Sequence, residues 1–153
     1  MQRTLVILKP DSVTRAITGK IISRLEEKGL KLVASKMVRL TEEQLKEHYS
    51  HLVDKPFFPG IVDFMTSAPV ILQVWEGKSA VEVVRLMAGV TNSRQAQPGT
   101  IRWDFSMSIG NNVIHASEDE EAAKIEIARF FDESEIYSYQ RADEDMLYSP
   151  DER

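Results

Sequence analysis

The 153-residue chain contains no cysteine, which removes disulfides, zinc–thiolate sites and thiol nucleophiles from consideration. Only seven glycines are present, and neither a GxxxxGK[ST] nor a GxGxxG string occurs. Any phosphate this chain binds must be held by side chains, not by a glycine-rich loop. No apolar run approaches the roughly 18 residues of a membrane span. The N-terminus opens into TLVILKP with no basic region before it, so neither leader nor anchor is expected and a cytoplasmic protein is the natural reading. Positive charge is also short: 19 Lys and Arg against 24 Asp and Glu leave a net charge of −5. That balance argues against a generic nucleic-acid binder, whose basic face neutralises phosphates. A small anionic ligand stays possible, because a cleft focuses the field of a few cations.

An apolar share of 42% and a charged share of 28% are those of a soluble globular protein long enough to bury a core. Composition leaves enzyme, binding module and scaffold open. No repeat or linker interrupts the chain, so residues 1–153 read as one domain with a short polar tail from about 149.

The run TLVILK at 4–9 predicts a strand buried on both faces. Ile17, Ile21, Ile22 and Leu25 recur at helical spacing before Gly29, a helix stop. Strands are predicted over 31–40, 70–75 (VILQVW) and 112–115 (NVIH), and a helix over 59–65 behind Pro59. Three capping boxes, Thr41 with Gln44, Ser79 with Glu82 and Ser117 with Glu120, each predict a helix start. A last helix is expected over 119–131. The order matches an α+β sandwich of the ferredoxin-like β-α-β-β-α-β type, with an antiparallel sheet, an inserted helix pair and a terminal helix. Between Gly89 and Asn111 little regular pattern is visible, and unstructured loops beyond ~15 residues are usually functional or disordered. This one carries Thr91, Arg94, Pro98, Arg102 and Trp103.

His115 ends a short predicted strand, and on pattern alone it reads as a packed or surface residue. As a nucleophile it would need an acceptor for its second ring nitrogen. Glu126, on the following helix, is within range of folding back. His48 and His51 are predicted on one helix face, but no third ligand stands nearby, so they read as ordinary histidines and not a metal site. Lys9, Arg15, Arg85, Arg94 and Arg102 lie near predicted strand ends or loops, where each taken singly reads as a solvated charge. Phe57 and Phe58, between Pro56 and Pro59, read as core packing or as a stacking platform for a base.

Longer strings say more. TLVILKPDSVTRAITGKII, HYSHLVDKPFF, MTSAPVILQVWEG, RLMAGVTNSRQAQPGTIRWDF and NNVIHASEDEEAAKIEIARFF occur in order without obvious gaps. To about residue 148 the chain resembles nucleoside diphosphate kinases, and the last string is similar to that family's active-site signature. The resemblance implies a ferredoxin-like fold. It implies γ-phosphoryl transfer from a nucleoside triphosphate to a nucleoside diphosphate, by a ping-pong route through a phosphohistidine. His115 would be the nucleophile and Glu126, supported by Ser117, the carboxylate that orients it. Lys9, Arg85, Thr91 and Arg102 would hold phosphates, with Tyr49 close to the transferred group. Asn112 and Lys9 would meet the sugar hydroxyls, and the base would stack on Phe57 beside Ile61.

The implied cofactor is Mg2+, carried mainly by the nucleotide phosphates, with no protein metal ligands assigned. Implied partners are nucleoside di- and triphosphates and copies of the same chain. The ending DMLYSPDER resembles the longer, commonly hexameric members. Departures from the family pattern are Ser12, Ala16, Val90, Trp103, Ala116, Glu118 and Asp119, none at a residue given a chemical role. The opposing readings are a regulatory nucleotide-binding module and an RNA-binding domain of similar topology. The first would have lost the histidine or its cations. The second wants aromatics on the opening strand and a basic face, and the chain offers neither.

Overall fold

The computed structural model describes residues 1–152. Its centre is one antiparallel sheet of four strands, β1 (Gln2–Leu8), β2 (Lys31–Val38), β3 (Val70–Gly77) and β4 (Ile114–Ala116), in the spatial order β2-β3-β1-β4. β1 pairs with β3 along its whole length and with β4 at its C-terminal end, where Ile7 faces His115. Leu5, Val6, Ile7 and Leu8 are all fully buried. Alternate residues of a strand point to opposite faces. Val6 and Leu8 join Trp75, Ile21, Leu25, Ala80 and Val84 in one core. Leu5 and Ile7 join Val33, Leu45, Met65, Val74 and Phe130 in the other. Helices cover both faces of this sheet, which is why its central strand is apolar at every position from Leu5 to Leu8.

One face is covered by α2 (Thr18–Glu27) and α5 (Ala80–Ala88), and the other by α3 (Glu42–His48), α4 (Phe58–Thr66) and α7 (Glu120–Phe130). This is the expected ferredoxin-like order with an inserted helix pair, α3 and α4. A short helix α1 (Pro10–Thr14), opened by Pro10, was not legible in the sequence, because five residues are too few to show a period. Beyond α7 the chain returns along β2. Tyr139 donates its hydroxyl to Leu32 O (2.6 Å), Arg141 donates to Leu30 O (2.7 Å), and α8 (Glu144–Leu147) sets Leu147 against Gly29. Among the described residues no helix is long and apolar enough to cross a membrane.

Of the three expected capping boxes one forms. Thr41 Oγ1 accepts from Gln44 N (3.2 Å) while Gln44 Oε1 accepts from Thr41 N (3.0 Å). Ser79 precedes α5 in a left-handed conformation (φ 48°) and makes no side-chain cap. Ser117 is drawn inward, and α7 is capped instead by Asp119, which accepts from Ala122 N at 2.8 Å. The segment between Gly89 and Asn111 is also more ordered than its sequence suggested. It holds a 3-10 turn at Ser93–Gln95, capped by Asn92, and α6 (Ile101–Phe105), capped by Thr100. Elements of three to five residues leave no periodicity to read.

Gly89 ends α5 at φ +83°, and a Cβ there would lie 2.6 Å from Thr100 Oγ1 and 2.9 Å from Thr100 Cβ. Both the left-handed backbone and the close approach call for glycine. Gly89→Ala is expected to lower unfolding free energy by about 1–3 kcal/mol in urea titration. An unchanged midpoint would mean that the α5–α6 junction relaxes freely.

Candidate active site

The strand β4 carries His115 into the sheet beside β1, and α7 follows at once and folds back over it. Starting that helix at Asp119 places Glu126 two turns along, where its carboxylate meets the imidazole. His115 Nε2 lies 3.1 Å from Glu126 Oε2, and the Ser117 hydroxyl donates to the same oxygen at 2.7 Å. Ser117 is fully buried and in turn accepts from Leu5 N (3.2 Å), so a β1 backbone amide fixes its hydroxyl. An ionised carboxylate only accepts hydrogen bonds, so Nε2 of a neutral His115 carries the proton and Nδ1 keeps the lone pair. Burial pushes the Glu126 carboxyl up, but the hydrogen bond and charge of His115 and the Ser117 hydroxyl outweigh it. The carboxyl is held below the usual range and is ionised at neutral pH.

The approach to His115 is built from a strained turn. Val113 adopts φ 66°, a left-handed conformation unusual for a β-branched residue. Its amide donates to Asp11 Oδ2 (3.2 Å) and its carbonyl accepts from Lys9 N (2.9 Å). Lys9 Nζ donates to Asn112 Oδ1 at 2.7 Å. Asn112 is buried, with both amide hydrogens spent on Thr91 O (2.9 Å) and Ile109 O (2.7 Å). It can therefore meet a ligand hydroxyl only as an acceptor, through Oδ1. Arg102, on α6, donates to Gly89 O (2.6 Å) and to Ile114 O (2.8 Å), the carbonyl just before His115. Its Nε–H is buried without a partner.

These cations are uncomfortable. Burial lowers Lys9 to about 8, helped by the charge of Arg102 and opposed by Asp11. Burial likewise lowers Arg102 to about 10, helped by the charge of Arg85. Both remain charged at neutral pH, and an incoming anion would relieve the crowding. Burial and then the charge of Glu126 push the Tyr49 phenol well up, so it stays a neutral donor. Tyr49 packs at 6.4 Å, ring centre to ring centre, from His115.

Six of the expected residues thus come together in one place: His115, Glu126, Ser117, Tyr49, Lys9 and Arg102. Asn112 joins through Lys9, and Thr91 through its carbonyl. Arg85 is exposed and lines a cleft of about 530 Å³ with Gly89, Val90, Glu118 and Asp119, beside the histidine and not over it. Phe57 stands 55% exposed at the start of α4, and Ile61, one turn on, packs into the adjoining core. The sequence reading missed Asp11 and His48. The expectation that His48 and His51 share a helix face fails, because α3 ends at His48 and the chain tightens into a 3-10 turn at Ser50–Leu52. His51 is exposed, whereas His48 is buried against His115.

His48, His115 and Glu126 also present ligand atoms within 4.8 Å of one another. Two nitrogens and one oxygen suit a borderline-soft ion, not Mg2+, which prefers oxygen ligands. Arg129 and Lys9 both bear on His48 electrostatically, and added positive charge there would be repelled.

A strand-end histidine with one nitrogen held by a carboxylate and half-buried cations around it is an arrangement for passing an anionic group. Comparisons with known proteins agree. Residues 2–136 match the family described as nucleoside diphosphate kinase. The chain is 53% identical over 152 residues to a nucleoside diphosphate kinase of Parabacteroides distasonis, covering 99% of each chain. It is 46% identical over 148 residues to nucleoside diphosphate kinase B of Pongo abelii, covering 97% of each. Its structure is similar, with a TM-score of 0.94 and 47% identity, to a halophilic nucleoside diphosphate kinase from Halobacterium salinarum in complex with CDP, over 97% of this chain and 99% of that one. Fold, site geometry and sequence identity along the chain agree, and the protein belongs to the nucleoside diphosphate kinase family.

Proposed function

We propose that His115 is the residue through which this chain performs the phosphoryl transfer between nucleotides that characterises its family. The observation that carries the reading is the pair of nitrogens on one ring, with Nε2 engaged by Glu126 and Nδ1 left with its lone pair. Nδ1 attacks the γ-phosphorus of a nucleoside triphosphate, the P–N bond forms, and the bond to the leaving diphosphate oxygen breaks. The imidazole need not lose a proton first, and Glu126 stabilises the positive charge that develops on the ring. A second nucleoside diphosphate then attacks the phosphorus with a terminal oxygen. The P–N bond breaks, and His115 returns to its starting form. One site is used twice, in ping-pong order.

Lys9, Arg85, Arg102 and Thr91 hold the phosphates and share the charge on the transferred group, as phosphoryl transfer requires. The buried, unpartnered Nε–H of Arg102 and the lowered Lys9 support this role. Tyr49 donates near the transferred group, and Asn112 with Lys9 meets the sugar hydroxyls. The base stacks on exposed Phe57 beside Ile61. Nucleotide kinases typically use a divalent metal, and here it arrives as Mg2+ bound to the nucleotide. Glu126, the carboxylate in contact with His115, is engaged by that ring and by Ser117, whereas Glu82, Glu118, Asp119 and Glu120 line the neighbouring cleft with Arg85.

Residues 1–153 act as one such domain in the cytoplasm, with the polar tail from about 149, and assemble as a homohexamer. Met37 on the edge strand, with Trp103, Met107 and Ile109 beside the site loop, is exposed and supports burial between subunits.

Native protein given Mg·ATP and UDP is expected to form UTP, and His115→Asn to lose at least about a thousandfold in kcat. UTP formed equally by the variant would move the nucleophile elsewhere. Stacking on one aromatic ring contributes about 1–3 kcal/mol for any base, so purine and pyrimidine acceptors should have similar kcat/KM. Strict preference for one base in steady-state kinetics would refute that. Lys9 titrates near 8 in the free protein, below its ordinary 10.5. ADP affinity should therefore fall as pH rises through 8, by at most about tenfold per unit for one proton. Calorimetry from pH 7 to 9.5 should show this decline in native protein and a flat profile in Lys9→Met. The stability effect has the opposite sign. The folded state releases this proton first, so stability from Lys9 rises from about 8 toward 10.5.

A further inference from the structure

His48 is the one buried histidine that the transfer mechanism above leaves without a part. It is 8% exposed at the C-terminal end of α3, and its ring stands edge-on to His115 with centres 4.6 Å apart and planes at 71°. Tyr49 at 4.6 Å and Phe130 at 5.3 Å enclose it from α3's end and from α7. The Arg129 guanidinium, also on α7, contacts His48 Nδ1 at 3.1 Å and is itself paired with Glu47 at 3.3 Å. A guanidinium only donates, so Nδ1 of His48 accepts and Nε2 carries the hydrogen. That Nε2–H is buried with no partner. Buried polar groups are nearly always paired, and an exception next to a reacting group calls for a reason.

We propose that His48 is a positioning residue for phosphoryl transfer, a neutral imidazole locked in one tautomer by Arg129 that holds the ring of His115 in its attacking orientation. The inference rests on His115 being the nucleophile. Glu126 fixes His115 at one atom, which leaves the ring free to swing about the Nε2–oxygen contact. The planar polar edge of His48, itself held in place through the contact of its Nδ1 with Arg129, blocks that swing and keeps Nδ1 of His115 on one line of approach. Neutrality matters too, because His115 gains positive charge as it attacks, and a charged neighbour would oppose it. The groups facing His48 are His115 on β4, Glu126 and Arg129 on α7, Glu47 and Tyr49 at the end of α3, and Lys9 after β1. Burial, then the charge of His115, with Arg129 and Lys9 adding to them and Glu126 opposing, hold His48 at about 3, far below any working pH.

The reading as a metal ligand is weaker. The same trio has ligand spacing, but an ion there would sit among the cations named above and would break the contact between Glu126 and His115.

The test is single-turnover formation of phosphoenzyme from Mg·ATP, with ATP affinity measured in parallel. The proteins compared are the native chain, His48→Phe, His48→Gln, Arg129→Gln and His115→Asn. Phenylalanine keeps a buried ring but loses the acceptor for Arg129, whereas glutamine restores an acceptor and an N–H. A reacting group set about 1 Å out of place loses on the order of a hundredfold. His48→Phe should slow phosphoenzyme formation by tenfold or more, on this scale, with nucleotide affinity within about twofold. His48→Gln should recover most of the rate. Arg129→Gln, which leaves the core ring in place, should also slow the step. Native rates in all three variants, or losses confined to nucleotide affinity, would overturn the proposal. Equal loss in His48→Phe and His48→Gln would reduce His48 to packing and overturn it as well. If native protein forms no phosphoenzyme, or His115→Asn still does, the nucleophile assignment itself fails and His48 falls with it.

Discussion

The rest of the site hangs on the two hydrogen bonds that Glu126 accepts at one oxygen, from His115 Nε2 and from Ser117 Oγ. A carboxylate in this position does three things at once. It decides which imidazole nitrogen keeps its lone pair, it stays ionised despite burial, and it ties α7 to β4 across a sharp reversal of the chain. Removing either donor would leave a buried charge short of a partner, which is costly in a low dielectric. Ser117 is anchored by the backbone of β1, so the geometry of one oxygen is transmitted from the most rigid strand of the sheet.

The same sheet explains why the cations can be held unrelieved. Lys9 leaves the end of β1, and Arg102 reaches the Ile114 carbonyl just ahead of His115. Each is fixed by backbone carbonyls or by Asn112, not by a carboxylate that would neutralise it. Strain belongs to the same design: Val113 holds a left-handed backbone because Asp11 and Lys9 grip its peptide groups on either side. That turn brings Asn112, Lys9 and His115 within one short stretch of chain.

Much of this was legible before any coordinates. The apolar run over 4–9, the strand over 70–75 and the Thr41–Gln44 capping box lie where periodicity and cap chemistry put them. The resemblance in motif order named His115, Glu126, Ser117, Tyr49, Lys9 and Arg102, which lie together, and also Arg85 and Phe57, which stand exposed, but it named neither His48 nor Asp11. Ser117 shows where local reasoning gives out. Its spacing to Glu120 is that of a capping box, yet its hydroxyl donates to Glu126 and its oxygen accepts from the Leu5 amide, which turns it inward and leaves the helix start to Asp119. The loop over 89–111 looked irregular because its order comes from caps and a Gly89–Thr100 contact, which have no period.

By itself, the sequence determined the family, the strand order's ingredients and the chemical inventory: one histidine in the signature, no thiol, no phosphate loop, a handful of cations. Those follow from residue type and spacing along the chain, which a linear reading can see. Only the tertiary structure decided which nitrogen of His115 is free, which cations are partly withdrawn from solvent, and that His48 touches His115 while His51 faces solvent. Each of these depends on the direction of a side chain after the chain has folded back on itself. His48 and His115 are 67 positions apart (115 − 48) and meet because α3 and α7 cover the same face of the sheet as Leu5 and Ile7. No spacing along the sequence encodes that contact. The packing of two helices on one strand does.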